Sequence, residues 1–349
     1  MPRKTSTVTI RDLAAHANVS PATVSRVINN TGYVSGDTRS RVETAIKELG
    51  YRPDAHARGL RGMPTGLIGL VIPNILNVFY TALAQVIENR LRQLGYTMLL
   101  GVTKDEADLY INYLNHFEGL KVDGIICVPP PDGKCLDTIQ DLVDHGMPMV
   151  EVNRRQECPV LDAVLADNFQ GARLATKYLI DLGHQRIAFI VGSLETTTGK
   201  HRLDGFRWTM TDAGLEIDPA LIKIGEFSKE YGIQAIEELL CVSPRPTAIF
   251  TTSNRILMGA MTALAEQQVG VPDEISIVSF DDSEWLSFWR PPITAVDVAV
   301  DEMGTLAVEL LMRWITSGQP PETPRTYSLS TTLIERQSCR SIVCQHETA

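Results

Sequence analysis

The 349-residue sequence predicts an α/β protein: two doubly wound parallel-sheet lobes preceded by a small all-α helix-turn-helix domain. Three observations carry this. From Gly66 onward, short apolar runs alternate with amphipathic stretches, the pattern of buried parallel strands joined by crossover helices. Before Gly66, two short helical patterns flank a three-residue break. The charge divides where the texture does. Residues 1–62 hold ten basic and five acidic side chains and the remainder 22 and 37, within a net charge of -10. A basic head on an acidic body confines attraction for phosphates to one end.

In the head, Thr9 precedes Ile10, Leu13, Ala14 and Ala17 at helical spacing, with Asp12 placed to close a capping box. Asn18-Val19-Ser20 breaks the period. Ser20 is a good N-cap and Pro21 fits the first helical position, where its missing N–H is not needed. Val24, Val27 and Ile28 form the apolar stripe of this second helix, leaving Ala22, Thr23, Ser25, Arg26 and Asn29 on the other face. Two short helices on a tight turn, the second carrying short polar side chains and one Arg, suit the major groove, and the caps Thr9 and Ser20 stand at the DNA-facing helix starts. A third helix runs from its cap Ser35 to Gly50 with Val42, Ala45, Ile46 and Leu49 as its buried stripe. Arg39 and Arg41, near its start, read either as a solvated face or as phosphate contacts.

The run VSPATVSRVINN followed by VSGDTRSRVETAIKELGYRP resembles the DNA-binding headpiece of the LacI/GalR family of bacterial repressors. The resemblance implies that Pro21 and Ala22 occupy the specificity positions opening the recognition helix, with Arg26 one turn on. It also implies a homodimer on a palindromic double-stranded operator. The weak helix former RPDAHARGLRGMP would be the hinge, folding when two copies meet over the minor groove, with Leu60 as the wedge and Arg61 as its basic neighbour. A plain linker is the competing reading. The expected divisions are a headpiece at 1–52, a hinge at 53–64, an effector-binding and dimerisation domain at 65–337, and a polar tail at 338–349.

In the body, GLIGLVIP, TMLLGV, VDGIICVP and PMVEVN read as strands of one lobe; AVLA, RIAFIVG, IKIGEF, TAIFTT and ISIVSF read as strands of the other. From Gly66 to Arg336 they resemble the periplasmic sugar-binding-protein fold (type I) of the family's core. That fold implies three crossings between lobes, expected near Leu165, Thr294 and Ser328, and a ligand between the carboxyl ends of both sheets. Lobe 1 would then take about 65–164 and 294–327, and lobe 2 about 165–293 and 328–337. The residues after Arg336 are polar and without heptads, so the tetramerisation coil of some relatives is not expected.

The resemblance carries over a set of effector-binding residues. Phe79 and Tyr80 match an aromatic pair opening the first long helix, although core packing would explain them equally. Asn153 and Arg154 stand where relatives have Asp and Arg. Arg202 matches a ligand-binding Arg, Phe227 a cleft aromatic, and Asp281 an acidic residue that holds ligand hydroxyls. Where many relatives read Asn-Asp, this chain has Ser253-Asn254-Arg255, and Lys200 lies close to Arg202 in sequence. Two lost carboxylates among added cations point to a sugar acid such as gluconate or 2-ketogluconate; a neutral sugar is the alternative if Arg255 and Lys200 face solvent.

Other classes fare poorly. The six cysteines show no CxxC pair, there is no GxGxxG or GxxxxGK[ST], and no nucleophile stands with a base, so no metal, cofactor or enzyme activity is expected. Neither an export signal nor a spanning apolar run is visible, which predicts a cytoplasmic protein without a membrane partner and argues against a solute-binding transport protein.

Overall fold

A computed structural model describes residues 8–28, 31–51, 64–131, 133–157 and 159–342. The chain forms two compact units, residues 1–63 and 64–349.

The first unit holds α1 (Ile10–His16), α2 (Pro21–Ile28) and α3 (Gly36–Leu49). Thr9 and Asp12 form the reciprocal capping box: the Thr9 N–H donates to the Asp12 carboxylate at 2.8 Å and the Asp12 N–H to the Thr9 hydroxyl at 3.3 Å. The Ser20 hydroxyl accepts the Thr23 N–H at 3.1 Å, and Gly50 ends α3 at φ 62°. Leu13, Ala14, Ala17, Val24, Val27, Val42 and Ala45 make the shared core. So small a core gives each cap a large share of the stability.

The second unit begins with β1 (Leu67–Ile72), α4 (Val78–Gln93), β2 (Thr97–Val102), α5 (Ala107–Gly119), β3 (Gly124–Cys127), α6 (Leu136–Asp144), β4 (Met149–Val152) and β5 (Ala163–Ala166). There follow α7 (Asn168–Asp181), β6 (Ile187–Val191), α8 (Thr197–Asp212), β7 (Ile222–Ile224), α9 (Lys229–Leu240), β8 (Ala248–Thr251), α10 (Asn254–Glu266), β9 (Ser276–Phe280), the short α11 (Glu284–Phe288) and β10 (Thr294–Val298). The chain closes with α12 (Val300–Ser317), β11 (Thr326–Leu329) and β12 (Thr331–Ile334). One sheet runs β11-β5-β4-β3-β1-β2 and the other β12-β10-β9-β8-β6-β7. Their central strands are buried on both faces, which is why they read as unbroken apolar runs rather than alternating ones.

Two sequence expectations about the crossings are corrected and the third holds. AVLA, β5, pairs with β4 and belongs to the first sheet rather than the second, so the crossing expected near Leu165 follows the strand, after Ala166. The second comes after β10, near Ala299; β10 pairs with β9 in the second sheet, and Asp297 within TAVDV obscured it as a strand. TYSLSTTLIER crosses as expected: β11 pairs with β5 in the first sheet and β12 with β10 in the second, which places the third crossing at Ser330, close to Ser328. β12 is also antiparallel to its neighbour, the one departure from parallel pairing.

Helices α9 and α10 pack backbone to backbone through Gly232 and Gly259. A methyl group on Gly259 would meet the Lys229 carbonyl and lie 2.8 Å from the Gly232 Cα. Gly259→Ala gains about 1 kcal/mol of helix propensity. The contact is with backbone that cannot rotate away, so overpacking dominates and a net loss of about 1–3 kcal/mol is expected. Urea unfolding checks this; a midpoint at or above that of the parent would show that the helices spread without cost.

Candidate functional site

In the first unit, the surface of α2 is divided as a groove-reading helix requires. Val24 and Val27 are buried, Pro21, Ala22 and Arg26 are exposed, and Thr23 and Ser25 are half-buried. The Thr23 hydroxyl lies 2.9 Å from the Ser20 hydroxyl, so the cap and the first polar position are held together. Among the described residues Arg26 has no side-chain partner; Arg39 is half-buried, and Arg41 is paired with Asp37 at 3.5 Å. Tyr33, in the loop after α2, is 92% exposed and was not singled out from the sequence. Asn29, Leu60 and Arg61 lie outside the described residues.

In the second unit, a cavity of about 450 Å³ lies between the carboxyl ends of the two sheets. Its first-lobe wall comes from the turn after β1 (Pro73, Asn74, Asn77), the start of α4 (Phe79, Tyr80), Asp105 after β2, and Asn153 and Arg154 after β4. Its second-lobe wall is Thr198 and Arg202 of α8, Phe227 after β7, Ser253 before α10, and Asp281 after β9. Asp105, Asn153 and Asp281 sit at φ 63°, 65° and 69°, a left-handed conformation that Asn and Asp tolerate best and that is concentrated at functional turns.

Each wall is built around a buried guanidinium. Arg202 donates through Nε to Asn168 Oδ1 at 2.7 Å, through Nη1 to the Thr252 carbonyl, and through Nη2 to Asp281 Oδ1 at 3.2 Å. Its guanidinium lies 3.6 Å from the Phe280 ring centroid, and Phe280 in turn stacks on Phe250 in the sheet core. Burial pushes the Asp281 carboxyl up, and the Arg202 charge opposes that push. Opposite, Arg154 donates to Asp105 at 2.5 Å and lies 5.5 Å from the Phe227 centroid, while its buried Nε has no partner among the described residues. Asn153 donates to the Tyr80 hydroxyl at 3.0 Å. Burial pushes that hydroxyl up to about 12, so it keeps its own proton and can donate it to a bound group.

Seven of the ten residues singled out for effector binding therefore line this cavity: Phe79, Tyr80, Asn153, Arg154, Arg202, Phe227 and Asp281. Three do not. Asn254 lies behind the wall, donating to the Asp281 carbonyl at 2.7 Å and accepting from Ser283 at 3.1 Å, so it supports Asp281. Arg255 is one residue further round α10, about 100° away on a helix, and its Nη1 lies against Met258 instead. Lys200, two residues from Arg202 and so about 200° round α8, is exposed outside the cavity. Asp105 is the consequential omission. It carries no motif, and only its position after a parallel strand, where ligand-facing loops occur, marks it.

The description "Bacterial regulatory proteins, lacI family" matches residues 9–54, and "Periplasmic binding protein-like domain" matches residues 176–339. The HTH-type transcriptional repressor PurR of Erwinia tasmaniensis is 36% identical over 334 residues, 95% of this chain and 96% of that protein. The chain belongs to the LacI family. The HTH-type transcriptional regulator DegA of Bacillus subtilis is 37% identical over 297 residues, covering 85% of this chain and 88% of DegA. The lac repressor dimer bound to operator and the anti-inducer ONPF has a TM-score of 0.84 at 27% identity, and the CelR–cellobiose complex 0.71 at 31%; each comparison covers 95% of this chain and 99% of the other. This LacI-family chain is thus a DNA-binding transcriptional repressor responsive to a small-molecule effector, and not an enzyme. Among its described residues no helix is long and apolar enough to cross a membrane.

Proposed function

We propose that the repressor binds a palindromic operator as a homodimer and is released by a small polyhydroxylated effector held between Arg154–Asp105 and Arg202–Asp281. The observation that carries the effector class is the pairing itself: two guanidiniums and two carboxylates face one cavity from separate lobes. Such pairs offer donors and acceptors at fixed positions without net charge, which suits sugar hydroxyls, and Phe79 and Phe227 supply apolar cover for a ring. CelR binds cellobiose in its solved complex, and we carry the sugar class from it to this chain.

The charge argument for gluconate or 2-ketogluconate loses Arg255 and Lys200, neither of which lines the cavity. A neutral sugar therefore fits better. The sugar-acid reading keeps one supporting observation, the unpartnered Arg154 Nε, a buried donor for a carboxylate. Asp105→Asn separates the two. Removing that charge leaves Arg154 uncompensated, so this variant is expected to gain roughly tenfold, about 1.4 kcal/mol, for gluconate over glucose relative to the parent. Thermal-shift titration with both sugars measures it. An unchanged ratio would remove Arg154 from effector binding. If gluconate shifts the parent and glucose does not, the effector is the acid.

Dimerisation is supported by exposed apolar side chains along one edge of the body. Leu100 of β2 and Ile224 of β7, the strands ending each sheet opposite the crossings, are 37% and 47% exposed, and Leu76 is 69% exposed. The lac repressor was solved as a dimer on its operator, and we carry that assembly over. The hinge role of Leu60 and Arg61 is part of the same proposal. An effector that prefers one separation of the lobes shifts the population toward it, and release of operator follows if that state misaligns the two hinges.

A further inference from the structure

We infer that the chain carries a second ligand site, for a small phosphorylated metabolite, in a groove between the lobes that shares Arg154 with the effector cleft. The groove is broader than the cleft, opens to solvent, and takes one wall from each lobe. From the second lobe, α8 contributes Lys200 and Arg207, about two turns apart on its exposed side. Among the described residues neither has a hydrogen-bond or ion-pair partner. From the first lobe come Lys134 and Arg155, the latter donating to the Thr326 hydroxyl. Glu157, Glu195 and Asp204 also line the groove. Among the described residues cations still outnumber carboxylates there, in a body that carries 22 basic and 37 acidic residues after position 62.

Two further observations point to a bound anion rather than a solvated surface. The groove includes the start of α8, a 16-residue helix with no acidic side chain in its first turn. The Thr196 hydroxyl caps the Gly199 N–H at 3.0 Å; the other amides of a helix start have no intrahelical acceptor, and such a start favours phosphate. Gln156, only 5% exposed, lines the groove, and among the described residues neither its amide nitrogen nor the Thr197 hydroxyl there has a partner. A buried donor without an acceptor is costly in a folded chain, and an oxygen-rich ligand removes the cost. A phosphate ester presents three acceptor oxygens and nearly two negative charges, enough to engage donors from both walls where a carboxylate has two oxygens and one charge. Because Arg154 lines both cavities, occupancy of either acts on the other through one side chain, and any such coupling is reciprocal.

Inorganic pyrophosphate titrated into the full-length protein by calorimetry at low salt tests the site. Saturable binding is expected, weakened at least tenfold in Lys200→Ala/Arg207→Ala. Both residues are exposed, so this variant should retain the parent melting temperature. Arg39→Ala/Arg41→Ala in the headpiece, the other anion-attracting surface, should leave binding within twofold. Absence of saturable binding, binding that survives Lys200→Ala/Arg207→Ala, or binding lost in the headpiece variant would each overturn the assignment.

Discussion

Arg202→Ala is expected to cost about 3–5 kcal/mol of stability and to abolish the effector response together. Arg202 is 3% exposed, with three hydrogen bonds and an aromatic ring against its guanidinium. Its removal leaves Asp281, 5% exposed, without its counter-charge and the Thr252 carbonyl without its donor. The lone carboxyl would avoid part of that penalty by taking a proton, which makes the loss smaller at low pH than at neutral pH. Urea unfolding at two pH values measures the stability, and operator release measures the response. Arg202→Met/Asp281→Leu should recover most of the stability and none of the release. Recovery of release in that double variant would show that the pair holds the fold and does not touch the effector.

Arg26→Ala has the largest expected effect on DNA binding. Arg26 is exposed on α2, one turn beyond Pro21 and Ala22, and among the described residues its side chain is held by no other group. If it reads a base, each half-site loses about 1–3 kcal/mol and a dimer twice that, with discrimination relaxed at that base pair only. Arg39→Ala should instead weaken operator and random DNA alike and flatten the salt dependence by about one unit of slope. Parallel titrations on operator and on random duplex distinguish these. A loss for Arg26→Ala that is equal on both would make it a phosphate contact.

What was legible in the sequence depended on how local the determining interaction is. The headpiece was readable because its caps act over three residues: Thr9 with Asp12, Ser20 with Thr23, Ser35 with Thr38. Buried strands such as Gly124–Cys127 and Ile187–Val191 announce themselves by composition. The sheet of β5 and the second crossing were misread because the choice of sheet for β5 and β10 is made by pairing with β4 and β9, partners that no local pattern specifies. In the cleft, Arg255 and Lys200 were misjudged because nearness in sequence stood in for angle on a helix. Asp105 was missed because its significance is its 2.5 Å pairing with Arg154, 49 residues away.

The placement of β11 and β12 bears on how the protein is made. Each completes the outer edge of a different sheet, and α12, which covers β3, β4 and β5, comes just before them. During translation the first lobe lacks its last strand until the ribosome has passed Leu329 and the second until it has passed Ile334, whereas the headpiece core uses only residues emerging in the first fifty or so. A nascent chain would therefore display a finished DNA-reading domain while both sheets still expose an unpaired edge. Premature termination before Thr326 removes an edge strand from both lobes at once. The chain's last elements, remote in sequence from every groove-reading residue, decide whether a regulator that can find DNA is also one that can be told to leave it.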